Sequence, residues 1–540
     1  MSKGGSALSK ILLILEVSRK QDYIFSSIHL RDNAARSDII RYVTSEEFFK
    51  QAAPEYYNSR ENFVYAGGGH TILQFGDRAT ATRFAEQVTQ KAMREYDGLE
   101  LFAKQMEYRA TDENGKPATP GQNLVWLSEA LEQKKSLRKA SFRLTSLGIE
   151  KKLKEKDKQK NKTGQEISPE REEWKKIRER YDELLKPKGW SFAERFEDMQ
   201  GLTDENFIAV VHVDGNSMGK RVKNLYDSET ESWDACCDKL RCFSEGIQHD
   251  FEAAFREMAA EVADYEAANP AGNTGILPVR PVILAGDDVC FVARGCLGLE
   301  CAERFMKHLS AKTNPQDGKP YAACAGVAMV HLKYPFHQAY DLAEALCSSA
   351  KKYGVSLCGD GSVSVMDWHI EFGQLKENLR EIRADYQTED GKRMELRPVV
   401  VLEGKMDEAA RTKMNVRTYD FVRGMCMQMK QAVQECGEKI ARGKLKELRG
   451  AIKQGDLECR YALQDSEITK LLRTIFEAQF DTADKQYAQF AAMLKNGKEI
   501  DKQPFRTFDD GSRNSEPVSH CLFFDAIEMM DHFERLEGKA

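Results

Sequence analysis

Short apolar runs alternate with segments of helical periodicity near the start of the chain. Ile11–Val17 is a nearly continuous apolar run typical of a buried strand, and Phe63–Phe75 holds two apolar runs around three glycines, which indicates a hairpin. Apolar residues recur at helical spacing in Arg78–Tyr96, so an amphipathic helix is predicted there. A strand at Leu99–Arg109 and a helix at Leu124–Leu137 complete this series.

The same order of elements returns from Phe207 onward. An apolar strand ends in Asp214, and two further apolar runs flank the turn Ala285–Asp288. The remaining elements of this second series are predicted at Trp233–Ala267, Leu297–Lys312, Ala322–His331 and Phe336–Lys352. Two series in one order predict an internal duplication of a ferredoxin-like β-α-β-β-α-β unit. In such a unit the hairpin turn lies beside the end of the first strand, so acids far apart in sequence can converge.

We therefore predict an α+β protein with two tandem ferredoxin-like palm domains and a helical C-terminal domain. The first palm domain is expected at residues 1–110 and the second at 205–370, with a charged, largely helical linker at 111–204 between them. Residues 371–540 are expected to be helical, with helices at Tyr419–Ala441, Leu445–Ile452 and Ser466–Leu494. A chain of 540 residues exceeds one ordinary core and agrees with several domains.

Charge and cysteine usage narrow the function classes. A net charge of −6 gives no support for a sequence-independent nucleic-acid surface. Thirteen cysteines without a C-x-x-C pair argue against a zinc site and fit free thiols in a reducing compartment. The apolar run Ile11–Leu15 is too short for a signal peptide or a membrane span, so a cytoplasmic location is expected. The charged run Lys151–Lys160 is expected to be a solvated helix or linker, or else a contact for RNA or a partner.

Adjacent carboxylates mark the second hairpin. Asp287 and Asp288 stand at its tip, and Asp214 ends the strand that the duplication places beside it. Their like charges repel each other, and a hard divalent cation with oxygen ligands would remove that repulsion. Asp and Gly are also ordinary turn residues, so a solvated structural turn is the alternative. Three converging carboxylates are the ligand supply of a two-metal nucleotidyl-transfer site, which we predict here.

Several ordered motifs carry a resemblance to a known family. They are Gln21–Ser37, Tyr65–His70, Val213–Gly219, Leu284–Val289, and Ala325–Phe336 followed by Ala350-Lys351. Together they resemble the large polymerase/cyclase subunit of type III CRISPR effector complexes, with its two palm domains and its Gly-Gly-Asp-Asp hairpin. The resemblance covers roughly residues 10–110 and 205–370.

This resemblance implies a reaction between nucleotides. The 3′-hydroxyl of one nucleotide would attack the α-phosphate of another and release pyrophosphate. Two Mg²⁺ or Mn²⁺ ions would be held by Asp214, Asp287 and Asp288, which would also be the catalytic residues. The substrate is expected to be an NTP, with ATP favoured, and the product a cyclic oligonucleotide second messenger in antiviral defence. The expected partners are subunits of a CRISPR RNA–protein complex or a separate second-messenger effector.

Further residues are expected to bind the nucleotides. The turn after Asp214 offers backbone N–H groups near a helix start, and Lys351 would neutralise the triphosphate. The first hairpin lacks side chains that would block a nucleotide, although it could be only a tight turn. The expected nucleotide-binding residues are Gly67, Gly68, Gly69, Gly215, Asn216, Ser217, Gly219, Gly286 and Lys351. Glu16 occupies the position equivalent to Asp214 but lacks partner carboxylates, so no metal is expected there.

Three departures from the family pattern leave alternatives open. The first palm begins almost at Met1, so a reduced form without the HD nuclease domain is expected, and the zinc-binding cysteines of many relatives are absent. Ala285 replaces the first glycine of the catalytic hairpin, and its methyl group is tolerated if φ is negative. A diguanylate-cyclase-like enzyme and a non-catalytic scaffold subunit of an RNA-guided complex are the alternatives to a cyclic oligonucleotide synthase.

Overall fold

The computed structural model describes most of the chain. The described residues are 10–27, 29–137, 159–160, 166–167, 169–200, 206–226, 232–268, 275–373, 376, 378–414, 416–436, 438–464, 505–508 and 518–536. The predicted helix Ser466–Leu494 and residues 151–158 of the charged run lie outside them. No helix within the described ranges is both long and apolar enough to cross a membrane.

The first palm domain is built on four strands. They are β1 (Ile11–Ser18), β2 (Phe63–Gly67), β3 (His70–Phe75) and β4 (Glu100–Glu107). Its helices are α1 (Lys20–Ile24), α2 (Leu30–Val43), α3 (Glu46–Ala52), α4 (Ser59–Asn62), α5 (Arg78–Glu95) and, after β4, α6 (Pro120–Ser136). The strands form one antiparallel sheet in the order β2-β3-β1-β4. This is the order of a ferredoxin-like unit, so the predicted fold of this domain is confirmed.

Strand β1 shows why this sheet lies between two layers. Leu13 and Leu15 pack into the main hydrophobic core, whereas Leu12 and Ile14 pack into a second core that includes Leu127 of α6. Successive side chains of a strand point to opposite faces, so both faces of β1 are buried. A strand covered on both sides needs an apolar residue at almost every position, which is the pattern of its sequence.

The segment between the palms contributes short elements. They are β5 (Gln159–Lys160), β6 (Glu166–Ile167), α7 (Pro169–Leu185), β7 (Ser191–Phe192) and a 3₁₀ turn at Phe196–Gln200.

The second palm domain follows. Its elements are β8 (Phe207–Gly215), α8 (Met218–Tyr226), α9 (Trp233–Ala268), β9 (Ile276–Leu277), β10 (Val279–Ala285), β11 (Asp288–Arg294), α10 (Gly298–Ser310), β12 (Ala323–His331), α11 (Phe336–Leu357), β13 (Ser364–Ile370), α12 (Leu379–Ala384) and β14 (Val399–Leu402).

The second sheet repeats the first and then extends it. Its order is β10-β11-β8-β12-β13-β14, and the first four strands match the first palm position by position. Strand β13 runs parallel to β12 after the crossover helix α11, and β14 pairs antiparallel with β13. The sequence analysis predicted neither β13 nor β14, and β14 lies beyond the expected end of the second palm at residue 370. A four-residue strand is too short for its periodicity to stand out.

The C-terminal part is helical with one small hairpin. Its elements are α13 (Glu408–Met414), α14 (Tyr419–Cys436), α15 (Glu438–Gln454), α16 (Asp456–Leu463), β15 (Phe505–Phe508), β16 (Val518–Cys521) and α17 (Phe524–Met529). The fully buried Arg397 ties α17 to the second palm, because its Nη2 donates to Glu528 Oε2 at 2.7 Å. The predicted class of two palms with a helical C-terminal domain is therefore confirmed.

Helix α9 of the second palm holds the two domains together. It packs against β2 of the first palm, where the Ser244 hydroxyl donates to the Ala66 carbonyl. One turn further along, Gln248 donates through Nε2 to the Leu284 carbonyl at 3.3 Å. Its Oε1 accepts a hydrogen bond from the Gly286 N–H at 3.0 Å. The two hairpins are thus fixed to neighbouring turns of one helix.

Candidate active site

The structure brings the three predicted carboxylates to one edge of the second sheet. Asp214, at the end of β8, lies directly opposite Asp288 of β11 in the strand register. Asp287 lies in the two-residue turn between β10 and β11. The Gly215 N–H donates to the Asp287 carbonyl at 3.1 Å, which ties the end of β8 to this turn. The convergence follows from the topology, since the hairpin strand β11 pairs with the first strand β8.

The turn at Gly286 has the backbone of a type II′ hairpin. Gly286 has φ 71°, and it is the first of the two central residues. A two-residue hairpin with a left-handed first position requires glycine there. Ala285 lies outside the left-handed region, so its methyl group causes no backbone strain. The replacement of the first family glycine by Ala285 is therefore compatible with the hairpin.

Negative charge accumulates around this turn. Burial and the neighbouring Asp214 raise the pKa of Asp287 to about 6. Burial, Asp214 and Glu344 of α11 raise the pKa of Asp288 to about 7. Asp288 keeps half of its side chain exposed toward a cavity, but its buried Oδ1 has no hydrogen-bond partner among the described residues. Carboxylates that are crowded, buried and partly unsatisfied are suited to a bound cation.

Lys351 of α11 shares this site. Its ammonium forms an ion pair with the Asp214 carboxylate, so one of the three acids is already neutralised. Over the described ranges, no three His, Cys, Asp or Glu side chains are gathered closely enough to hold a metal ion as they now lie. The oxygen donors fit hard divalent ions, and Asp288 Oδ1 accepts no hydrogen bond, although His212 Nδ1 lies 3.7 Å from it. Binding of ions by Asp214 would require Lys351 to turn away from it.

Helix α11 supplies the predicted Lys351 and two residues that the sequence did not identify, Tyr340 and Glu344. Tyr340, Glu344 and Lys351 are spaced by four and seven positions, which places them along one helix face. The Gln21 amide of the first palm donates to Tyr340 Oη at 3.3 Å and to Glu344 Oε1 at 3.4 Å. The spacing of these polar residues on a largely apolar helix was the available signal. It could not show which face meets the aspartates.

The turn after β8 corrects part of the expected phosphate site. The N–H groups of Gly215 and Asn216 already donate to the carbonyls of Asp287 and Ala322, so they are not available to a phosphate. The Asn216 side chain donates to the Val363 carbonyl at 2.8 Å, and Ser217 takes the left-handed conformation with φ 60°. These residues shape the turn. The open backbone begins in the first turn of α8, where a Cβ at Gly219 would meet no atom within 4 Å.

The first palm carries a matching hairpin with different chemistry. Gly68 and Gly69 both have positive φ, 57° and 74°, as a type I′ turn requires. Glu16 lies opposite His70 in the register, the positions that Asp214 and Asp288 occupy in the second palm. Lys135 and Lys20 lie 3.0 Å and 4.0 Å from Glu16 Oε1. Burial lowers the pKa of His70 to about 4, so the imidazole is neutral at pH 7.

A cavity of about 820 Å³ lies between the two hairpins. Its walls include Gly67, Gly68 and Gly69 of the first palm, and Ala285 and Asp288 of the second. The hairpin tips nearly touch, since a Cβ at Gly286 would lie 4.0 Å from the Gly68 nitrogen. Cavities of this size hold small organic ligands in other proteins. The expected glycine surface and one carboxylate of the predicted site, that of Asp288, thus line the same cavity.

Comparisons with known proteins agree with this architecture. Residues 207–356 match the family model of Cas10/Cmr2, second palm domain. A crystal structure of Csm1 in T.onnurineus has a similar fold, with TM-score 0.52 and 14% identity over 97% of this chain and 70% of that one. A Csm1-Csm4 cassette in complex with cA4 is similar with TM-score 0.50 and 14% identity over 89% of this chain and 67% of that one. No curated protein matches the chain. The predicted resemblance to the large palm-containing CRISPR subunits is confirmed.

Proposed function

We propose that this chain, a Cas10-like protein with a Cas10/Cmr2 second palm domain, joins nucleoside triphosphates into a cyclic oligonucleotide. The 3′-hydroxyl of one nucleotide attacks the α-phosphate of another, an ester bond forms, and the bond to pyrophosphate breaks. ATP is the favoured substrate, and the product acts as a second messenger in CRISPR-type antiviral defence. The partners are subunits of an RNA-guided complex or a separate effector of the messenger.

One observation carries this proposal. Asp214 and Asp288 are opposite each other in the register, with Asp287 in the adjoining turn, and Asp288 lines a cavity whose other wall is a glycine hairpin. Carboxylates at a strand end and a hairpin tip are the ligand supply of palm-type nucleotidyl transfer. The facing hairpin is open at its tip, because a Cβ at Gly68 would meet nothing closer than His70 Nδ1 at 3.9 Å. A purely structural turn would not need a buried, unsatisfied carboxylate oxygen beside a cavity.

Each residue then has a definite role. Asp214, Asp287 and Asp288 would hold two Mg²⁺ or Mn²⁺ ions, which activate the attacking hydroxyl and stabilise the charge on the phosphoryl oxygens. Lys351 exchanges its bond with Asp214 for one with the triphosphate. The first-turn N–H groups of α8 receive a phosphate oxygen. Gly67, Gly68 and Gly69 form the surface for the second nucleotide.

The identity of the product is the finer part of the proposal. One similar structure is of a Csm1-Csm4 cassette in complex with cA4, which supports a cyclic oligoadenylate as the first product to test. The common palm architecture is also that of GGDEF-type diguanylate cyclases. The choice between adenine and guanine therefore needs a direct measurement.

The test is product analysis after incubation of the full chain with each NTP and with mixed NTPs, in Mg²⁺ and in Mn²⁺. We expect pyrophosphate release and a cyclic oligoadenylate mass with ATP. Products from GTP alone would support the diguanylate-cyclase-like alternative. No turnover with any NTP, including in the presence of CRISPR complex subunits and RNA, would support a scaffold role and contradict the proposal.

A further inference from the structure

Lys20 of the first palm lies across the glycine hairpin. Arg19 takes the left-handed conformation with φ 51°, and the chain turns there from β1 into α1. The Lys20 ammonium donates to the Gly68 carbonyl and lies 4.0 Å from Glu16 Oε1. Its side chain therefore lies along the hairpin, with 34% of its surface exposed.

The absence of a side chain at Gly69 makes this path possible. A Cβ at Gly69 would lie 3.0 Å from Lys20 Cε and 2.8 Å from Ile40 Cγ2. At Gly68 the nearest atom to a Cβ would be His70 Nδ1 at 3.9 Å. The glycines of the first hairpin thus have separate tasks. Gly69 makes room for Lys20, and Gly68 leaves the tip open.

Lys20 faces the same cavity as the catalytic hairpin. Its side chain and that of Asp288 both line the cavity, and the two charges act on each other across it. In the second palm, Lys351 is paired with Asp214. The site therefore has one lysine from each palm, with Lys351 on an aspartate and Lys20 in the cavity that Asp288 lines.

The present partners of Lys20 can release it without leaving a charge unpaired. The Gly68 carbonyl is neutral, and Glu16 is also paired with Lys135 at 3.0 Å. When Lys20 turns into the cavity, Glu16 keeps a cationic partner. Burial lowers the pKa of Lys20, so an anionic ligand in the cavity would gain a poorly solvated cation as its partner.

We propose that Lys20 is the substrate-binding residue of the first palm and that its ammonium binds a phosphate of the nucleotide lying on the glycine hairpin. The proposal rests on the proposed function, since it assigns a residue to the same cavity. It changes the role of the first palm. That domain supplies a charged contact as well as an open backbone surface.

Equilibrium binding to the full chain tests this role. The probes are α,β-methylene-ATP, which cannot release pyrophosphate, and adenosine, which has no phosphate. We expect Lys20→Met to weaken binding of the ATP analogue roughly tenfold to a hundredfold, the worth of a hydrogen bond to a charged group. Adenosine binding should stay unchanged, and Lys20→Arg should retain most of the affinity for the analogue.

Lys91→Met is the matched control, because Lys91 is a first-palm lysine that pairs with Glu95 at 2.9 Å and does not line the cavity. Thermal melts confirm that each variant is folded, and Lys20→Gln replaces Lys20→Met if that variant is not. Wild-type affinity in Lys20→Met, an equal loss in Lys91→Met, or an equal loss for adenosine would overturn the proposal. Turnover of the wild-type chain is measured alongside. Its absence overturns the proposed function, whereas the binding series alone decides the role of Lys20.

Discussion

The two palm domains share one backbone plan and carry opposite chemistry at the same positions. In both sheets the first strand pairs with the second strand of the hairpin, and an acid on the first strand meets the residue that follows the turn. In the second palm that pair is Asp214 and Asp288. In the first palm it is Glu16 and a neutral His70, with two lysines around the acid. In the first palm, lysine ammonium groups therefore lie beside the acid at the position where metal ions are proposed in the second palm.

The two hairpin turns also differ in the residues at their central positions. The second hairpin has Gly286 at its first central turn position and Asp287 at its second. The first hairpin uses glycine at both central positions, which removes every side chain from the tip. One copy of the unit therefore gained ligands, and the other gained an open surface. The difference shows how a duplicated fold can form one asymmetric site instead of two equal ones.

The largest expected effect is loss of the second-palm acids. Asp287→Ala with Asp288→Ala should lower turnover roughly a thousandfold or more, because the ions that stabilise the transition-state charge lose their ligands. Pyrophosphate release measures the loss. In the wild-type chain, Mn²⁺ should also raise the melting temperature, and the double variant should lose this shift. A folded double variant with wild-type turnover would refute the site.

Replacing the acid on the first strand of each palm by its amide tests the asymmetry between the palms. Asp214→Asn should cost roughly a hundredfold in turnover, whereas Glu16→Gln should stay within about threefold, because only Asp214 has partner carboxylates. Parallel kinetics on both variants, with circular dichroism to compare folding, measure the ratio. Equal losses would mean that both palms carry catalytic acids.

Bulk at the tip of the first hairpin should have an intermediate effect. Gly68→Val should cost about tenfold in turnover, because the side chain meets the incoming nucleotide and the residue must keep φ 57°. Gly115→Val is the matched control, since Gly115 has φ 75° and no atom within 4 Å of its Cβ position. Both variants should lose similar stability in thermal melts, and only Gly68→Val should lose turnover. A similar loss of turnover in both would attribute the effect to strain alone.

The smallest effect is expected at Ala285. Ala285→Gly restores the family hairpin and should change turnover less than about threefold, because Ala285 is already outside the left-handed region. Steady-state kinetics with ATP decide the point. An increase of tenfold or more would show that the methyl group obstructs the nucleotide.

The local pattern of apolar runs was sufficient to predict the palm fold and the position of the second-palm acids. Asp214, Asp287 and Asp288 stand next to short apolar runs, and the register of a ferredoxin-like sheet then brings them together. Lys20, Ser244, Gln248 and Glu344 were not predicted, because they reach the site from helices. Which face of a helix meets a given hairpin depends on packing between domains, and one sequence does not show it. The engaged N–H groups of Gly215 and Asn216 were missed because their acceptors, the carbonyls of Asp287 and Ala322, are far away in sequence.

The contact between α9 and β2 has a consequence for how the proposed activity would respond to dilution of the protein. Both palms are in one chain, and Ser244 and Gln248 hold the two hairpins on successive turns of the same helix. Assembly of the shared cavity is therefore a unimolecular event, whereas two identical palms on separate chains must first meet. The effective concentration of one palm at the other is set by the covalent linkage and does not fall with protein concentration. Activity per chain should accordingly stay constant from micromolar to nanomolar protein.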